Sequence, residues 1–158
     1  MRKLTFMTVI GVMLMVVPLA AAAELTRDEY VARVEPICKS NTEANKRIFA
    51  GAKEEVKSGQ LKEASTHFSR AVVAFDKTIR QLQAVPQPAA DSAKLEKWIG
   101  YLQIESQYLG KIGNALAAGQ KGKAQTLSVR LNRNSNLANN SVLSFGFNYC
   151  KINPSRFS

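Results

Sequence analysis

The sequence predicts an all-α protein, an antiparallel up-down four-helix bundle whose first and last helices are joined by a disulfide between Cys38 and Cys150. Three observations lead there. Apolar residues recur at three- and four-residue spacing in four successive stretches separated by glycine or proline. Strand-type alternation appears nowhere. The two cysteines stand at opposite ends of this pattern, one in the first stretch and one just past the last.

An address precedes the helices. Met1-Arg2-Lys3 is a short positive head, Leu4 to Leu19 an apolar run, and Ala20 to Ala23 a small-residue stretch that fits cleavage after Ala22 or Ala23. Residues 1–23 are thus expected to be a signal peptide and residues 24–158 one bundle domain, exported to the cell envelope or the exterior. The alternative is an uncleaved N-terminal membrane anchor, although a span needs about 20 apolar residues. The first cysteine is Cys38, so the leader offers no thiol for lipid attachment. An even cysteine count in an exported chain favours one disulfide. It would close a loop of roughly 110 residues, which the chain-entropy model values at up to about 4.7 kcal/mol.

Each helix has its signals. Leu25-Thr26-Arg27-Asp28-Glu29-Tyr30 reads as a capping box, with Thr26 as cap, Glu29 reaching back and Leu25 stapled onto Tyr30. The stripe then passes through Val34, Ile37, Cys38, Ala44, Ile48, Ala52 and Val56 to the stop at Ser58-Gly59. Pro36 predicts a kink, or a short first helix followed by a new one. The second helix carries Leu61, Ala64, Phe68, Ala71, Val72, Phe75, Ile79 and Leu82 and ends at Pro86 and Pro88. Asp91 or Ser92 caps a third helix that buries Leu95, Trp98, Ile99, Leu102, Leu109, Ile112 and Leu116 before the Gly119–Gly122 turn. The fourth runs from about Lys123 to Phe147 through Ala124, Leu127, Leu131, Ala138, Val142 and Phe145. In an up-down bundle the first and last helices are neighbours, which brings Cys38 and Cys150 to the same end.

Tyr30-Val31-Ala32 with Ile37-Cys38, the Pro86–Asp91 loop ahead of Trp98-Ile99, the Ala117-Ala118-Gly119 turn and the terminal Phe145-Gly146-Phe147-Asn148-Tyr149-Cys150 together resemble a group of small exported helical proteins of actinobacteria. The resemblance spans nearly all of residues 24–158. It implies the helical fold and the disulfide and no chemistry, since that group has no assigned function. Pro36 departs from the pattern, which has a helix former such as alanine there.

The catalytic inventory is poor. His67 is the sole histidine and precedes Phe68 on the second-helix stripe, so it is expected on the flank or surface. One histidine and two paired cysteines assemble no zinc, copper or haem site, so no cofactor is expected. No C-x-x-C pair occurs, and Gly119-Gln120-Lys121-Gly122-Lys123 lacks the spacing of a phosphate loop. Glu54-Glu55, Glu63 and Glu96 sit among lysines on outer faces.

Glu105 is less ordinary. With Ser106 it interrupts the third-helix stripe between Leu102 and Leu109, and Asn134-Ser135 interrupts the fourth. Antiparallel registration sets the two pairs opposite each other. Such a polar layer either fixes helix register through internal hydrogen bonds or holds a small polar ligand, with Glu105 and Asn134 in contact. The asparagine cluster Asn132, Asn134, Asn136, Asn139 and Asn140 is expected on an exposed face.

The net charge is +10, with Arg2 and Lys3 leaving alongside the leader. Lysines and arginines are spread over all four helices, whereas nucleic-acid readers gather them on one element. For an exported chain, acidic wall polymers or anionic lipid headgroups are the expected partners. The sequence therefore supports a non-catalytic binding or structural module of the envelope. The alternative is a small-ligand carrier or an enzyme of unrecognised type built around Glu105.

Overall fold

The computed structural model describes residues 24–153. Five helices follow in order: α1 Arg27–Ile48, α2 Ala52–Lys57, α3 Leu61–Gln83, α4 Ser92–Ala117 and α5 Lys121–Ser141, with 3₁₀ turns at Ala89–Asp91 and Leu143–Phe145. The four long helices form the antiparallel bundle. The leader, its cleavage site and its alternative role as an anchor lie outside the described residues. Among the described residues no helix is long and apolar enough to cross a membrane.

α1 starts at the expected capping box: Thr26 Oγ1 accepts from the Glu29 amide at 3.3 Å, and the Glu29 carboxylate accepts from the Thr26 amide at 2.8 Å. Pro36 lies within α1 and does not divide it. Its ring removes one intrahelical hydrogen bond and crowds the preceding turn, but it sits on the exposed side, away from the buried face of α1. The division comes later, at Phe49-Ala50-Gly51, where Gly51 takes φ +86°, a left-handed conformation that suits glycine. The stripe expected to run on to Val56 is thus carried by two helices.

α3 buries Ala64, Phe68, Ala71, Phe75, Ile79 and Leu82, and α4 buries all seven apolar residues expected of it. α4 is the central helix, packed broadly on α3 and on α5, while α1 packs on α3. α3 and α4 approach closely at Gly113: a Cβ there would stand 3.0 Å from Phe68 Cβ and 3.5 Å from the Ser65 carbonyl oxygen.

α5 ends at Ser141, short of the expected Phe147. Leu143–Phe145 tighten into a 3₁₀ turn, and Gly146 at φ +64° turns the chain back toward α1. Phe145 and Phe147 stack at 5.3 Å between centroids, Phe147 lies 5.3 Å from Trp98 of α4, and Phe145 meets Tyr30 of α1 edge-on at 6.3 Å. Both phenylalanines are buried, which is worth about 1.5–3 kcal/mol each. Cys38 and Cys150 are disulfide-bonded, with 5.0 Å between their Cα atoms. The bridge therefore joins α1 to the segment beyond α5, and this segment carries the closure expected of the last helix itself.

Two glycines of α4 give opposite expectations. Gly100 has nothing within 4 Å of an added Cβ, so Gly100→Ala gains helix propensity and should raise stability by about 0.5–1 kcal/mol. Gly113→Ala gains the same propensity but presses on Phe68 Cβ, which cannot move without α3, so it should lower the urea midpoint. Equal stabilisation by both would contradict the close approach.

Candidate functional site

Glu105 stands midway along α4 with 1% of its surface exposed. Its stripe position turns it inward, where α5 supplies the partners. Asn134 Nδ2 donates to Glu105 Oε2 at 2.9 Å and to the Tyr101 carbonyl at 2.9 Å, which uses both of its hydrogens. Ser135 Oγ lies 2.6 Å from Glu105 Oε1 and 3.0 Å from the Leu131 carbonyl oxygen. A serine has one hydrogen to give. Both of its contacts are satisfied together when Glu105 holds its proton and donates it to Ser135, whose own proton goes to Leu131.

The electrostatics point the same way. None of the ion pairs found among the described residues reaches Glu105. Burial pushes its carboxyl above the usual value of 4.5, partly countered by the hydrogen bonds from Ser135 and Asn134. Three of the four residues expected in the polar layer thus come together. Ser106 does not join them: it turns to α3 and donates to Asp76 at 2.5 Å. One residue along a helix is a rotation of about 100°, enough to change faces.

Glu105 also borders a cavity of about 50 Å³ between α1, α3, α4 and the C-terminal segment, which Ser106, Asn134 and Ser135 do not line. Among the described residues no three His, Cys, Asp or Glu side chains converge as a metal-binding group.

Several residues act differently from their sequence expectation. His67 takes the flank of α3 and not the open surface: its side chain is 14% exposed, with Nδ1 against the Ile48 carbonyl and Nε2 3.0 Å from Glu55. The turn after α1 folds both partners over α3, which a single long first helix would not allow. Asp91 is the N-cap of α4 but makes no side-chain cap. Its buried carboxylate instead takes two bonds of 2.7 Å from Arg27, and this guanidinium holds it below the usual carboxylate range. The asparagines are not merely an exposed face. Beyond Asn134, Asn139 donates to the Ile152 carbonyl at 2.8 Å and accepts the Ile152 amide at 2.9 Å.

Glu35 carries no local signal in the sequence. Its carboxylate accepts the amides of Asn148 at 2.8 Å and Tyr149 at 2.9 Å. Comparison with protein-family models, curated proteins and solved structures finds no match.

The raised Glu105 sets a pH dependence. The stabilising contribution of its proton is complete below the unfolded value near 4.5 and is lost as pH rises through the higher folded value. Glu105→Gln keeps an acceptor for Asn134 and a donor for Ser135 without ionising. Its stability relative to the wild type should therefore increase as pH rises from acid to neutral. Urea unfolding at a series of pH values reads this out, and a constant difference between the two proteins would contradict a raised Glu105.

Proposed function

We propose that the chain is an exported, non-catalytic binding or structural module of the cell envelope, held to acidic envelope components by its basic surface. The observation that carries the reading is an asymmetry in how the charges are used. Among the described residues every lysine is exposed, as is every arginine except the half-buried Arg27. The carboxyl groups of Glu35, Asp91 and Glu105 are drawn into internal bonds. With a net charge of +10 on the whole chain, of which only Arg2 and Lys3 lie in the leader, the outward field is positive.

Two further features support export. The leader has the order of a signal peptide, and a buried structural disulfide persists in oxidising compartments outside the cytoplasm. The spread of cations over all the helices suits a diffuse polyanion better than a nucleic-acid groove. A carrier or enzyme centred on Glu105 is the second reading, favoured by the cavity that Glu105 borders.

Sedimentation with vesicles tests the first reading. Oxidised protein of residues 24–158 should pellet with phosphatidylglycerol vesicles and stay in solution with phosphatidylcholine vesicles. Raising the salt from about 0.01 M to about 0.15 M, which shortens the screening length from about 30 Å to about 8 Å, should release it. The same salt dependence is expected with isolated wall polymer. Equal partition between the anionic surfaces and phosphatidylcholine at low salt would refute the reading.

A further inference from the structure

The cavity beside Glu105 is lined by polar groups that have no partner among the described residues. Trp98 is wholly buried, and its Nε1–H meets no acceptor among the described residues. Asn41 and Asn45 lie one turn apart on α1, and the Oδ1 atom of each is buried and meets no donor among the described residues. All three residues line this one cavity. They come from two helices, so no local turn geometry accounts for the cluster.

The rest of the wall matches a ligand with one polar end. Phe75, Leu102 and Leu109 supply apolar surface, and the exposed Tyr149 and Lys151 of the C-terminal segment stand at the rim. Buried donors and acceptors left unpaired are costly, and a ligand that satisfies them recovers the loss.

We infer that this cavity is a binding site for an uncharged ligand presenting a primary carboxamide or an equivalent group. The unpartnered atoms are one donor and two acceptors. A carboxamide is their complement: its oxygen accepts from Trp98 Nε1, and its two N–H bonds are directed to Asn41 and Asn45. Size agrees. A cavity of about 150 Å³ takes benzene, whereas this one, at about 50 Å³, takes the three non-hydrogen atoms of a carboxamide head, and the remainder of the ligand leaves past the rim. The charged classes fit less well, because an anion would meet the Glu105 carboxyl in the same wall and a cation would meet the indole N–H. This site is independent of the basic surface, and its occupancy does not require a polyanion.

Trp98 is the sole tryptophan, so its indole N–H is a single reporter at the site. Oxidised, ¹⁵N-labelled protein of residues 24–158 is titrated with acetamide and, in parallel, with acetone, which has as many non-hydrogen atoms but no N–H to donate. The expected result is a saturable displacement of the indole cross-peak by acetamide and none by acetone. Asn45→Leu, which removes one acceptor and fills part of the space, should weaken acetamide about ten-fold, as for one lost hydrogen bond. The proposal is overturned by an indole signal that does not respond saturably, by an equal response to acetone, or by unchanged affinity in Asn45→Leu. Contacts from the indole proton to long-lived water that acetamide does not displace would make this a hydration site and overturn it too. If Asn45→Leu fails to fold, the contrast between acetamide and acetone on the wild type still decides the outcome.

Discussion

The fastening of the C-terminal segment to α1 is the constraint on which the rest of the structure depends. α4 is held from both sides by α3 and α5, but among the long helices α1 packs mainly on α3. What closes the other side of α1 is residues 143–152, held in several independent ways. Phe145 and Phe147 fill the space between Tyr30 and Trp98. Glu35 gathers successive backbone amides of the segment, Asn139 pairs with Ile152, and Cys150 is covalently bound to Cys38. A segment with little regular structure cannot satisfy its own backbone groups, so a carboxylate and an amide side chain do it instead. A bridge of this kind forms and persists in an oxidising compartment.

The two buried carboxylates away from this segment fix how α4 sits against its neighbours. Glu105 ties α4 to α5 through Asn134 and Ser135, and Asp91 at the start of α4 ties it to α1 through Arg27. They reach this by opposite electrostatic routes. Asp91 has a guanidinium in bidentate contact and is held ionised, whereas Glu105 has only neutral donors and is pushed toward its protonated form. An acid whose hydrogen bonds are satisfied specifies register, and in its protonated form it does so without burying a charge. Arg27 also lies 5.0 Å over the Phe145 ring, so the α1–α4 tie bears on the closing segment as well.

Much of this was legible in the chain, and the limits have physical reasons. The stripes of α3 and α4 are long and regular, so period alone identified their buried faces. The Glu105–Asn134–Ser135 contact was legible because polar residues interrupt two such stripes and antiparallel pairing fixes what lies opposite. Ser106 was misplaced because the same argument cannot resolve one step of helical rotation. The ends of α1 and α5 were placed too late, since Gly51 and Gly146 act through left-handed backbone conformations while the apolar stripe continues past both. Glu35, Asn139 and His67 were out of reach: their partners are distant in sequence or depend on a turn, and nothing in their own surroundings marks them.

Amide hydrogen exchange, compared between the oxidised protein and a Cys38→Ser/Cys150→Ser variant, tests most directly whether the C-terminal segment is what holds α1 in place. We expect the amides of α1 and of residues 143–152 to lose protection strongly, while the interior of α3, α4 and α5 keeps most of its own. A uniform loss over all four long helices, or unchanged protection in α1, would contradict it.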